Sequence, residues 1–171
     1  MSFIEANLKE LQLNPFNMFL SEWGLVSAGT AEKRNGMTIG WGTLGILWGK
    51  PVALVFIRPQ RFTKEFVEES DRFTVSFYPP DYKGALELLG TKSGRDGDKI
   101  AESGLTPYYI GDTLAFEEAH SIYVCKKLYG GHAFDPAKFV DTALMERVYA
   151  AKDYHYLYVG EIEKLLVKAP A

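Results

Sequence analysis

Apolar residues in this chain recur mainly at every second position, in short runs broken by Gly, Pro, Asn and Asp, a pattern of strands and tight turns. Arg72–Tyr78 alternates most cleanly: Phe73, Val75 and Phe77 fall on one face and Thr74 and Ser76 on the other, which predicts a half-buried strand. Trp23–Ala28 predicts a first strand. Thr30–Gly36, ending in Asn-Gly, predicts the hairpin loop that returns the chain into a strand over Met37–Trp41. Val52–Ile57 is a continuous apolar run between Pro51 and Arg58-Pro59, so it predicts a strand covered on both faces in the middle of the sheet. Ser121–Leu128 and His155–Leu166 predict two further strands.

Helical spacing is confined to short stretches. Thr63 can cap a helix whose first turn carries Glu65, with Phe62 and Val67 at the staple positions. After Pro79-Pro80, Tyr82, Ala85, Leu86 and Leu89 share one side of a second helix, with Asp81 as its cap and Gly90 as its left-handed end. A polar loop over Thr91–Lys99 leads into a short helix ending at Gly104, and Asp135-Pro136 opens another helical stretch. Helices therefore do not alternate regularly with strands. That disfavours a doubly wound parallel sheet and predicts a mainly β, antiparallel barrel with several short helices.

The length of 171 residues fits a single domain, 1–171, able to bury its own core. Lys+Arg number 19 against 22 Asp+Glu, giving a net charge of -3 without a long basic block, which argues against nucleic acid or an anionic membrane as a general partner. Any anion must be held locally. One cysteine, Cys125, rules out an internal disulfide and multi-cysteine zinc sites and suits a reducing compartment. With no secretory pattern at the start and no apolar run near the ~20 residues of a membrane helix, a cytoplasmic location is expected.

Several motifs bear on chemistry. Gly40-Trp-Gly42-Thr-Leu-Gly45 matches the dinucleotide fingerprint in letters, but Pro51 follows too soon for the helix that must receive the pyrophosphate. The glycines fit bulges or close approach of a ligand to strand backbone instead. Gly90–Lys99 fits two readings: a surface turn, or a phosphate cradle in which Ser93, Arg95 and Lys99 donate beside exposed amides. His120, His132 and His155 show no metal spacing, so no metal is expected. His155 opens the last strand beside Asp153 and Tyr154, where it either faces a cleft or lies on ordinary surface. No Gly-x-Ser-x-Gly supports acyl transfer, and among many aromatics Trp41 stands out as a neighbour for a planar ring.

Five blocks then occur in order: Asn35-Gly-Met37-Thr38-Ile-Gly-Trp-Gly, Arg58-Pro59-x-Arg61-x-Thr63, Phe73-Thr-Val-Ser-Phe, Gly90-Thr-Lys-Ser-Gly-Arg-Asp-x-Asp-Lys99, and Asp153-Tyr-His155 with Gly160-Glu161. Together they resemble the flavin reductase family of FMN-binding split barrels, over about Trp23 to Ile162. The resemblance implies an antiparallel Greek-key split β-barrel, a homodimer with FMN near its interface, and electron transfer from NAD(P)H to a flavin or small acceptor. It places Met37, Thr38, Ile39, Gly40 and Trp41 along the isoalloxazine ring, and Arg58, Arg61 and Thr63 around the phosphate. Ser93, Gly94, Arg95 and Lys99 would complete the phosphate pocket, and His155 would stand near the ring or the reductant's entrance. Gly42–Gly49 departs from the serine-rich segment of typical reductases, which leaves open an electron carrier serving a protein partner, or a flavin-binding dimer without turnover.

Overall fold

Most connections between strands are too short for crossover helices, and every strand pairing in the structure is antiparallel. A computed structural model gives the structure of residues 2–169. Its strands are β1 Phe3–Glu5, β2 Gly24–Gly29, β3 Arg34–Ile39, β4 Gly42–Leu47, β5 Lys50–Ile57, β6 Arg72–Phe77, β7 Pro107–Ile110, β8 Thr113–Phe116, β9 Ser121–Ala133 and β10 Tyr156–Lys168. The helices are α1 Pro15–Asn17, α2 Thr63–Glu69, α3 Lys83–Thr91, α4 Lys99–Ser103 and α5 Thr142–Val148. The main sheet runs β3-β2-β6-β9-β10-β5-β4, with β1 added to β10 and β7-β8 forming a separate hairpin. Met37 and Ile39 from one end of that order share a buried cluster with Ala53 and Val55 from near the other, so the sheet rolls around a common interior. Its end strands β3 and β4 do not pair, and the barrel is split there.

Alternation along the strands feeds two cores. Val26, Phe73, Val75, Tyr123 and Cys125 point into the barrel. Their neighbours Leu25, Ile122 and Val124 join Leu86, Leu89, Ile100 and Phe116 in an outer layer under α3, α4 and the β7-β8 hairpin. That layer corrects the expectation of a half-buried β6. Thr74 and Ser76 are both fully buried, and the Thr74 hydroxyl donates to the Leu114 carbonyl at 2.7 Å.

Other local expectations are corrected as well. Asn35-Gly36 lies inside β3 opposite Ala28 and Ser27, not in the turn. The turn forms earlier because Thr30 Oγ1 accepts from the N–H groups of Glu32 and Lys33 at 3.3 and 3.4 Å. Asp81 sits in a 3₁₀ turn, Pro80–Tyr82, and caps nothing. Gly90 is inside α3, which continues to Thr91, and β5 is next to the sheet's end, flanked by β10 and β4. Gly104 does end α4 in the left-handed conformation, and Asp135 caps the 3₁₀ turn Pro136–Lys138. Among the described residues no helix is long and apolar enough to cross a membrane.

Candidate functional site

β3 terminates the sheet, so its outer edge carries amide and carbonyl groups that no strand pairs. There Met37, Thr38, Ile39, Gly40 and Trp41 line a cleft of about 260 Å³, with Phe56, Arg58, Arg61 and His155 forming the rest of the wall. Pairing across the sheet explains the convergence: Tyr156 is in register with Ile57, which brings His155 beside the end of β5 and Arg58. On the other side, Thr38 Oγ1 donates to the Leu86 carbonyl at 2.5 Å, turning this side chain toward α3. Trp41 is 55% exposed, with its ring centroid 5.2 Å from that of His155.

The two arginines differ in how far their charge is already used. Arg58 Nη1 pairs with Asp153 Oδ2 at 2.5 Å, Nη2 donates to the Val148 carbonyl at 3.2 Å, and the guanidinium lies over Tyr149 at 5.3 Å. Gln60 donates to the same carboxylate oxygen at 2.9 Å. The Gln60 hydrogen bond and the Arg58 guanidinium hold the Asp153 carboxyl below its ordinary range. Arg61 donates from Nη1 to the Gly90 carbonyl at 2.9 Å and meets no carboxylate among the described residues. Its positive charge is the uncompensated one in the cleft.

His155 is buried, and its Nδ1 lies 2.9 Å from the Tyr149 hydroxyl. Burial, and then the positive field of Arg58, push its pKa down to about 4 from 6.5. Between those values the unfolded chain binds the proton more tightly. The contribution of His155 to stability is therefore fully present above pH 6.5 and is lost as pH falls toward 4. The melting midpoint should drop over this window, and His155→Gln should flatten part of the drop. Superimposable pH profiles for the two proteins would contradict this account.

The structure does not bring the remaining expected residues into the cleft. Thr63 is the first residue of α2 and makes no cap; its buried hydroxyl accepts from Asn35 Nδ2 at 3.1 Å. Arg95 donates to the Gln60 carbonyl at 3.0 Å, pairs with Glu65 and stacks over Phe62 at 4.5 Å. Lys99 is 4% exposed and donates to the Leu89 carbonyl at 2.8 Å. Burial, with the nearby Arg61 charge, lowers its pKa to about 8. Arg61 and Lys99 thus both satisfy carbonyls at the C-terminal end of α3, where a helix leaves them without internal partners. Gly94 and Lys99 line a separate depression with Arg34 and Asn35. Ser93 lies on the same loop, where its hydroxyl accepts from the Arg95 N–H at 3.2 Å.

Sequence reasoning missed Phe56, which lines the cleft, and Tyr149, which holds His155. Phe56 was within reach: it stands two residues before Arg58 and so shares its face of the strand. For Tyr149 the sequence carries no comparable signal.

Fold and cleft together define a split-barrel domain with a site suited to a planar ligand bearing negative charge. Residues 17–170 match the flavin reductase like domain, and the chain belongs to that family. No curated protein matches it. Among solved structures it is similar to the FMN-binding domain of a flavin reductases-like enzyme from Shewanella baltica OS155, with TM-score 0.69 and 17% identity over 97% of this chain and 77% of that one. Flavoredoxin from Methanosarcina acetivorans gives TM-score 0.67 and 20% identity over 93% and 75% of the two chains. An FMN-binding protein from Thermus thermophilus with bound p-hydroxybenzaldehyde gives TM-score 0.63 and 26% identity over 84% and 69%.

Proposed function

We propose that this protein is an FMN-dependent oxidoreductase of the flavin reductase type, taking electrons from NAD(P)H and passing them to a flavin or another small acceptor. The observation that carries this reading is the union, in one cleft, of an unpaired strand edge, an exposed indole and the uncompensated guanidinium of Arg61. The donor set fits FMN, with peptide groups for a heteroaromatic ring and cationic nitrogen for a phosphate monoester. FMN-binding proteins among its structural relatives support the same cofactor.

When bound, FMN supplies the hydride acceptance and delocalises the charge that results. This chain's residues hold, orient and polarise. Met37–Trp41 line the cleft, and amides on that strand edge would serve the ring's heteroatoms, where such donors stabilise developing negative charge without reorganising. Arg61 would anchor the phosphate, with Arg58, held in place by Asp153, beside it. Ser93, Gly94 and Arg95 sit on a loop that Arg95 ties to the Gln60 carbonyl next to Arg61; this loop, with Lys99 and Thr63, holds the framework behind the phosphate site and does not itself line the cleft. His155 lines the same cleft, where it would meet the molecule that exchanges electrons.

The site is completed by a second copy of the chain. Within one chain the cleft encloses about 260 Å³, just under the low end of the ~300–1,000 Å³ of small-molecule pockets, which leaves room for a second copy to contribute a wall. The unpaired edge strand β4 and its turn expose Ile46 and Trp48, at 74% and 61%, an apolar surface that association would cover.

The test is anaerobic. FMN-loaded protein should lose its visible flavin absorption rapidly on addition of NADH or NADPH. Bleaching only by a reduced protein partner would replace this reading with an electron carrier, and absence of FMN binding to the folded protein would remove it altogether.

A further inference from the structure

We infer that Tyr149 is the positioning residue for His155: its hydroxyl donates to Nδ1 and holds the imidazole as the neutral Nε2–H tautomer, presenting Nε2–H to the cleft as a hydrogen-bond donor. The inference deepens the proposed function, on which it rests for the cleft's role as the place of electron exchange.

The geometry fixes both ends of the ring. Nδ1 meets the Tyr149 oxygen at 2.9 Å. Nε2 makes no hydrogen bond to any described residue, yet it is not among the buried polar atoms left without a partner. Because His155 lines the cleft, that free nitrogen opens onto it.

Two proton arrangements would satisfy the contact, and they are not equivalent. If Nδ1–H donated to Tyr149, the phenol proton, on a side chain only 7% exposed, would have no acceptor among the described residues. A buried donor without a partner costs about 1–3 kcal/mol. If the phenol donates, both the phenol proton and Nδ1 are paired, and the remaining N–H meets the solvated cleft. Burial also raises the Tyr149 pKa, so the phenol keeps its proton to give.

Charge around the ring favours the neutral form. Arg58 at the end of β5 and Arg61 in the following loop oppose an imidazolium, while Asp153 is the one acidic group acting on it. Asp153 is already engaged by Arg58 and Gln60. The aromatic rings beside the imidazole are Trp41, tilted at 54°, and Tyr149, edge-on at 72°, and neither carries charge. Tyr149 is itself held, by Arg58 over its ring and by Phe139 and Tyr154 at centroid distances of 5.8 and 4.9 Å. The result is a fixed neutral donor, suited to a carbonyl or carboxamide oxygen on the molecule that exchanges electrons in the cleft.

Long-range ¹H–¹⁵N spectra of labelled protein without flavin test this directly, with the His155 signals assigned as those lost in His155→Gln. The expected result is one tautomer, protonated at Nε2, unchanged from pH 8 to pH 5. In Tyr149→Phe a second tautomer should emerge. With FMN bound at unchanged affinity, NADH-driven bleaching should then slow about tenfold, the scale of one well-made hydrogen bond. An Nδ1–H tautomer in the unmodified protein, or a Tyr149→Phe spectrum identical to it, would overturn the inference. If Tyr149→Phe does not fold, the unmodified protein's spectrum alone decides. Failure of FMN to bind would instead overturn the proposed function, since the spectra require no flavin.

Discussion

Arg61→Ala should weaken FMN binding by about 10- to 150-fold, corresponding to the ~1.5–3 kcal/mol of a hydrogen bond to a charged group. The effect should exceed that of Arg58→Ala, although both side chains line the cleft. Arg58 already gives Nη1 to Asp153 and Nη2 to the Val148 carbonyl, so its removal takes away fewer free N–H donors for a ligand. Its loss should appear chiefly as lower thermal stability, because the contacts with Val148 and Tyr149 go with it. Arg61 has one carbonyl partner and no carboxylate among the described residues, so its charge remains for the ligand. Flavin fluorescence titration of both variants at two salt concentrations would measure the difference. The salt dependence of binding should shrink in both variants, because each removes one positive charge, while the loss that persists at high salt should be larger in Arg61→Ala. Equal losses in the two variants would show that the compensation by Asp153 does not govern affinity.

The same distinction shows what could be read from the sequence. Antiparallel strands and a barrel were legible because alternation and turn residues are local signals, and the blocks around Met37–Trp41, Arg58, Arg61 and His155 do converge on one cleft. Which cations remain free was not legible. Arg95 and Lys99 have the right chemistry for a phosphate, but Glu65 and the carbonyls of Gln60 and Leu89 engage them, and those partners are chosen by packing. Strand β4 escaped notice for a different reason. Gly42 and Gly45 make it look like a loop, and its hairpin turn is made by Trp48 and Gly49 at φ 53° and 70°. Tryptophan has no intrinsic preference for that conformation, so only the pairing of β4 with β5 reveals the turn. The polar face of β6 misled similarly: Thr74 looks solvent-facing until Leu114, in a hairpin from later in the chain, covers it.

Gly160→Val should destabilise the fold by about 3 kcal/mol or more, at the upper end of the cost of overpacking. Gly160 lies within β10, where it pairs with Ala53 of β5 and Lys127 of β9. A Cβ at this position would sit 2.6 Å from both Cys125 Cβ and Phe73 Cζ, atoms of the close-packed barrel interior. Relief requires β10 to move away from β9 or Phe73 to leave its rotamer. Either movement reaches the cleft, because β10 is in register with β5 and so sets His155 against Arg58. For a domain of this size the expected fall in melting temperature is about 6–12 °C, with FMN affinity falling in parallel. Gly45→Ala is the control, since a methyl there meets nothing within 4 Å. It should shift stability by no more than about 0.5 kcal/mol. Equal melting temperatures for the two variants would mean that the contact of β10 with Phe73 and Cys125 does not hold the barrel, or the cleft built on it, in place.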